Sequence, residues 1–466
     1  MVIKLVFKQQ ENIFEDQKYN NVLDSMKSSW KFIILIFILS FVSFLGIMAY
    51  IEQLEKGLIV TGLGDRNFWG LYVSNFVFFI GISHAGTLIS AILRVTGAEW
   101  RTPITRMAEA ITVFSLIVGA AMVLIDMGRV DRILNVIIYM NINSPIIWDF
   151  FAIGTYLTGS ILFLYLPLIP DIALLRDKYK EKGGIRFHFY RIFALRWSGT
   201  ETQRKKLERG ISIMAILIIP IAISVHTVVS FIFSMTWRPG WHSSIFGPYF
   251  VVGAIFSGIA ALLLAMAVFR KYYKLHDLIT EKQFKNLGLL LLSFAFLYFY
   301  FTVAEFLTAG YTNWKEEADL LRELFYGQFA IFFWIFLVLG LLIPIFILIY
   351  PKTRTIKGIV IASILINIGM WVKRFIIVVP TVSAPVISEN WIVYIPTDNE
   401  IWITLGGFAF FMLLYAIFSK IFPIISIWEV KEQEDRTKKE ISTEKLISKE
   451  FDGWTDSDEP PKKWID

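Results

Sequence analysis

Ten apolar runs, at roughly 31–50, 68–93, 104–126, 145–168, 210–234, 247–269, 285–311, 325–350, 355–380 and 400–424, alternate with polar connections along the chain. Each is long enough to cross a hydrocarbon layer of ~30 Å, which takes ~20 helical residues. Backbone polar groups must be satisfied internally in lipid, and the runs are far too long for barrel strands. The pattern therefore predicts an all-α polytopic membrane protein with ten transmembrane helices. The segment before Lys31 holds Glu11, Glu15 and Asp16 and no small-residue cleavage pattern, so the first run is expected to be a retained helix.

Composition agrees with the pattern and removes several chemistries. Of the 466 residues 56% are hydrophobic and only 18% charged, with a mean hydropathy of +0.60, whereas a soluble chain carries about a quarter charged residues. There is no cysteine, which excludes disulfides, thiolate zinc sites, Cys-ligated iron–sulfur clusters and thioether-linked haem. No HExxH, P-loop or GxSxG motif occurs, and no soluble stretch is long enough to house a cofactor domain.

Charge placement gives an orientation. The fourth connection, 169–209, carries 11 Lys and Arg, and the other even connections with their flanks are richer in them than the odd ones. By the positive-inside rule the even connections and both termini are expected to be cytoplasmic. The ninth connection, with Glu389, Asp398 and Glu400 near it, is then expected outside. The basic fourth connection, with Arg204, Lys205 and Lys206, is expected along the anionic inner leaflet rather than on nucleic acid. Residues 425–466 hold 12 acidic and 8 basic side chains and read as a solvated tail.

Helices 2–3 and 6–7 share a faint self-match. Trp69-Gly70-Leu71-Tyr72 faces Phe246-Gly247-Pro248-Tyr249, Ile92-Leu93-Arg94 faces Val268-Phe269-Arg270, Ile104-Thr105 faces Ile279-Thr280, and Asp126 falls nearly opposite Glu305. An offset of four helices preserves orientation and predicts two parallel-repeat four-helix bundles, helices 2–5 and 6–9, with helices 1 and 10 peripheral. The expected organisation is a cytoplasmic segment 1–30, peripheral helix 31–50, first bundle 68–234, second bundle 247–380, peripheral helix 400–424 and tail 425–466.

Ionisable groups inside spans are costly and usually face a site or pathway. Asp126, Asp149, His226, Glu305, Lys373 and Arg374 are expected in an outer layer, and His84 and Glu109 in an inner one. His84 lies ~24 Å along helix 2 from its outer start at 1.5 Å per residue. A bis-His haem is not expected, because His84 and His226 fall in different layers and His188, His242 and His276 lie in or beside loops. Lys373 is expected to snorkel outward, with Arg374 facing inward. Ser144-Pro145 reads as a helix start that electrostatically favours the Asp149 carboxylate. Pro145, Pro167, Pro220, Pro248 and Pro344 are expected to break helices near span ends, unlike the matched mid-span breaks of a secondary transporter.

Several strings carry a family resemblance. Gly81-Ile-Ser-His84-Ala-Gly-Thr-Leu-Ile-Ser-Ala-Ile-Leu93, Glu99-Trp100-Arg101-Thr-Pro-Ile-Thr-Arg106-Met-Ala-Glu109, Ser144-Pro145-Ile-Ile-Trp148-Asp149, Val225-His226-Thr-Val-Val-Ser230, Gly240-Trp-His242-Ser-Ser-Ile-Phe-Gly-Pro248 and Asn367-Ile-Gly-Met-Trp371-Val-Lys-Arg374 resemble the NrfD/polysulfide reductase (PsrC-like) membrane-subunit family. Within it they look most like the ActC subunits of alternative complex III. The resemblance implies a membrane subunit with no haem, metal or iron–sulfur cluster of its own that binds a quinone, menaquinone-type by expectation, in the cell's inner (cytoplasmic) membrane. It also implies an outer-side iron–sulfur/molybdopterin-type partner and further membrane subunits. The family commonly has histidine followed by Gly-Arg-Pro where this chain reads Asp126-Met-Gly128-Arg129-Val130.

The expected quinone site is Asp126, Arg129, Trp148 and Asp149, with Asp149 the first candidate base and Asp126 the second. Arg129 is expected to hold Asp126 ionised, and Trp148 to pack on the quinone ring. His84, Glu109, His226, Glu305, Tyr311 and Arg374 are the expected proton path. A secondary transporter and a non-catalytic membrane anchor are the competing readings.

Overall fold

The computed structural model describes residues 17–385 and 391–452; Glu11, Glu15, Asp16 and Glu389 lie outside them. Among the described residues ten helices are long and apolar enough to span a membrane: Trp30–Lys56, Leu71–Val95, Glu99–Asp126, Pro145–Tyr179, Glu201–Ser234, Phe246–Tyr272, Glu281–Thr312, Ala330–Ile349, Ile356–Ser383 and Asp398–Ile421, helices 1 to 10. The chain is a multi-pass, all-α membrane protein. Side chains such as Phe37, Phe41, Tyr300 and Met412 are apolar and exposed, as a helix surface facing lipid requires. The described ends of the chain, where Lys18 pairs with Glu434, and the even connections lie at one end of the helices, the even face; the odd connections lie at the other.

Helices 2 to 5 pack in a ring, with helix 5 closing on the second half of helix 2; helices 6 to 9 do the same. The rings meet where helices 2 and 5 touch helix 6 and where helix 2 touches helix 9. Helix 2 is consequently the most deeply buried. Helices 1 and 10 pair with each other and rest on the first ring through helix 10. Lipid gives no hydrophobic drive between helices, so close approach must come from small residues. A Cβ added to Gly340 of helix 8 would stand 2.6 Å from Gly369 Cα of helix 9, and one added to Gly46 of helix 1 would stand 2.8 Å from Gly406 Cα of helix 10.

Helix irregularities do not follow the prolines as expected. Helices 4, 5 and 9 run through Pro167, Pro170, Pro220 and Pro380. Helix 2 instead breaks at Ser83 and continues as a π-segment, Thr87–Ile92. In helix 8 the π-segment Ile335–Leu342 leads into Pro344; a proline ring crowds the carbonyl four residues earlier, and a wider turn relieves that. These interruptions are mid-helix, but helices 2 and 8 are not counterparts under a four-helix offset.

Two polar knots lock the ends. On the odd face Thr397 and Glu400 form a capping box at the start of helix 10, and Glu400 also accepts from Gly62 N at 2.7 Å and from the Tyr394 hydroxyl. Tyr394 accepts from Leu71 N at 3.0 Å, so one buried carboxylate joins the starts of helices 2 and 10. Burial and the Glu400 charge push the Tyr394 phenol up, keeping it a donor.

On the even face Arg106 of helix 3 and Asp171 of helix 4 pair at 2.6 Å, both buried. Arg106 also donates to the carbonyls of Pro167, Pro423 and Ile425, while Asp171 accepts from the backbone N–H groups of Ile427 and Trp428. The tail therefore departs from its expected solvated form at its root. Ile424, Ile425, Ile427 and Val430 are buried, and the helix Ile427–Asp452 is tied by Glu429 to Arg94 and by Glu434 to Lys18. Its charge count misled because the apolar first turn is averaged with a polar remainder.

Candidate functional site

The odd-face end of the first ring holds two carboxylates on adjacent helices, Asp149 buried and Asp126 half-buried. Asp149 lies in the second turn of helix 4 and is 6% exposed, and its Oδ1 has no hydrogen-bond partner. It lies past the free N–H groups of the first turn, which end at the fourth helical residue. Asp126 is the last residue of helix 3, and its Oδ1 is likewise buried without a partner. Asp126 is within electrostatic range of Tyr72 and Glu400. Beside it, Tyr72 donates to Gln53 Oε1 at 2.7 Å and Gln53 Nε2 donates to Ile125 O at 2.9 Å.

The connection between these helices is open. Arg129 is exposed and makes a two-pronged pair with Asp131 at 2.9 and 2.8 Å. It does not pair with Asp126 as expected, since an acid two residues away is within easier reach. Hydrogen bonding from Arg129 holds the Asp131 carboxyl below the usual range. Trp148 is partly exposed, its Nε1 donating to Ile142 O. Leu134, Ile138, Tyr139, Ile142 and Ile146 are exposed apolar residues around it, a concentration typical of a contact surface.

A second polar cluster runs through the junction of the rings. The His84 and His226 rings are 3.9 Å apart, centroid to centroid, at 72°, which corrects the expectation of separate layers. Counting residues along straight helices overstated their separation: helix 2 starts at Leu71 and breaks at Ser83, and helix 5 extends from Glu201 to Ser234. Rings in direct contact leave no room for a metal macrocycle between them. His84 Nε2 donates to Ala222 O at 3.0 Å, leaving His84 Nδ1 and His226 Nδ1 unpartnered. Thr112 of helix 3 bonds Ser83 O and Gly86 N at the break, and Glu109, buried with a free Oε2, lies one turn nearer the even-face start of helix 3.

On the other side Arg374 is buried with Nη2 unpartnered, over the Phe250 ring, and its charge acts on His226. Lys373 is also buried, 1% exposed, and pairs with Glu305 at 2.7 Å. Snorkelling, the expected behaviour, is thereby corrected: an acid one helix away and the faces of Tyr249, Phe306 and Phe336 hold the ammonium inside. Glu305 and Lys373 line an odd-face cavity of about 80 Å³ with Gly240, Phe246, Leu320 and Thr381, room for a few waters at ~30 Å³ each. Tyr311 is 89% exposed at the end of helix 7 and so lines no buried route.

Reasoning from sequence missed Asp171, Gln53, Tyr72 and Tyr249. Asp171 had a signal, an acid one turn beyond Pro167, but the apolar run ends before it. Among the described residues no cluster of three His, Cys, Asp or Glu side chains is placed to hold a metal ion.

Comparison with known proteins follows the same stretch of chain. Residues 59–385 match the model of the family described as polysulphide reductase, NrfD. A selenate reductase subunit of Mesobacillus selenatarsenatis is 25% identical over 84% of this chain and 93% of its own length. The Hdr-like menaquinol oxidoreductase integral membrane subunit of Archaeoglobus fulgidus is 26% identical over 87% of this chain and 96% of its own. A putative dimethyl sulfoxide reductase membrane subunit of Halobacterium salinarum is 26% identical over 71% of this chain and 73% of its own.

Proposed function

Because the chain belongs to the NrfD polysulphide reductase family, we propose that it is the quinone-binding membrane subunit of a respiratory oxidoreductase complex. In this reading it passes electrons between quinol and an iron–sulfur/molybdopterin-type partner on the odd face, which is the outer side. Both termini are cytoplasmic, and the membrane is the inner one. The observation that carries the reading is two carboxylates, each with a buried oxygen that has no partner, Asp149 and the half-buried Asp126, at one end of one ring. A ring hydroxyl is the donor such an oxygen lacks, and leaving it unmet costs ~1–3 kcal/mol.

Oxidising a quinol releases two protons and two electrons. Asp149 takes the first proton and Asp126 the second, and the exposed connection 127–144 passes them to water. Trp148 stands at the mouth, and the apolar residues around it are the surface on which the partner docks and takes the electrons. Menaquinone-type quinone is favoured by the relative named as a menaquinol oxidoreductase subunit; the ActC-like assignment rests on the residue strings. A photoreactive quinone applied to the assembled complex should label residues 127–149. Labelling only at helices 6–9, or no bound quinone in purified complex, would overturn the reading and leave a membrane anchor.

A second reading, proton passage through the protein, is favoured by the contact between His84 and His226. Glu109 and His84 form the even-face limb, and His226, Arg374, Glu305 and Lys373 lead to the odd-face cavity. Proteoliposomes with a pH-sensitive dye decide it: His226→Asn should abolish any proton movement beyond that released by quinol oxidation. If wild-type vesicles show none to begin with, this reading fails.

A further inference from the structure

A cleft of about 1900 Å³ lies on the even face, away from every residue of the proposed quinone site. Its walls are the end of helix 4, the short helix Gly184–Phe193, the turn after it, the start of helix 5 and the root of the tail helix. Arg191, Arg196 and Arg204 line it and are exposed. The acids that share the wall are largely engaged: Asp171 by Arg106, Asp177 by Arg176 and Glu432 by Arg436. Glu181 and Asp435 remain, Asp435 acting on Lys431, so the cleft keeps an excess of positive charge.

The same walls are apolar on their outward side. Ile185 is 89% exposed, Ile192 70% and Leu195 62%, while Tyr190 on the opposite side is buried, stacks on Tyr179 and donates to Ile421 O. The short helix is thus fastened to helices 4 and 10 by one face and offers the other outward. It connects two spanning helices, so that face meets the membrane boundary. Leu195 and Arg196, with φ of 45° and 58°, make the turn that sets an aliphatic and a guanidinium side by side in the cleft wall.

We infer that this cleft binds the headgroup of an anionic phospholipid, with Arg191, Arg196 and Arg204 on the phosphate and Ile192 and Leu195 against the acyl chains. A free phosphate has no use for the aliphatic residues, and a zwitterionic lipid brings no net charge to match the arginines. The inference does not depend on quinone chemistry.

The test uses the assembled, delipidated complex in native mass spectrometry with phosphatidylglycerol or phosphatidylcholine, and thermal unfolding with each lipid or with inorganic phosphate. Phosphatidylglycerol should be retained at least ~5-fold over phosphatidylcholine and should raise the unfolding temperature. R191Q/R196Q/R204Q should lose both effects, its Arg→Lys counterpart should keep part of them, and K282Q/K285Q, at the even-face start of helix 7, should keep all. Equal retention of the two lipids, equal stabilisation by inorganic phosphate, loss of preference in K282Q/K285Q, or occupation of the cleft by a partner protein in crosslinking would each overturn the inference. If the triple Gln variant does not assemble, the Arg→Lys variant and the lipid comparison still decide.

Discussion

Asp126 and Glu305 occupy corresponding places, each near the odd-face end of a helix in its own ring, yet their surroundings are opposite. Glu305 meets Lys373 at 2.7 Å inside a box of aromatic rings, so its charge is matched by the fold itself. Asp126 and Asp149 each keep an oxygen with no partner in the chain, and Arg129, three residues after Asp126, is spent on Asp131. A buried charge with a partner escapes the penalty of an isolated one. A buried carboxylate oxygen with no partner in the chain is a cost that a ligand's donor can offset. The difference sets the quinone end of the first ring against the odd-face end of the proposed proton path in the second, and it can be broken experimentally.

The largest effect on the fold is expected at the most completely matched pair. Arg106→Ala strands Asp171 in the interior, a change that costs about 3–5 kcal/mol where a buried partner is removed. Thermal unfolding of the purified complex should show a large drop, with the tail helix becoming protease-sensitive. Glu305→Gln should follow, destabilising by a similar or smaller amount because the cavity admits water to Lys373, and Glu305→Leu with Lys373→Met should restore most of the loss. A double variant no better than the single one would show that the pair is not the source of the cost. The smallest effect belongs to Arg129→Gln: the pair with Asp131 is exposed, such pairs contribute ~0–1 kcal/mol, and quinol turnover should stay within about 2-fold of wild type.

The ten spans were legible because a run of ~20 apolar residues has one physical solution in lipid. The buried acids were legible for the converse reason, standing out in runs that exclude charge. What escaped were pairings across helices. Lys373 meets an acid 68 positions away and Arg106 one 65 positions away, and nothing in local sequence specifies such a partner. The meeting of His84 and His226 escaped because depth was counted along ideal helices, whereas helix 2 breaks one residue before His84. Arg129 was misassigned in the other direction: its partner is two residues away, and a longer-range role was given to it.

The central claim is that Asp149 takes a proton from quinol, and the rate of quinol oxidation by membranes holding the assembled complex tests it most directly. Asp149→Asn keeps the size of the side chain and removes the base. Turnover should fall by ~10²-fold or more, the scale of a general base, while complex assembly and unfolding temperature stay near wild type. Turnover equal to wild type in a fully assembled Asp149→Asn complex would contradict the account.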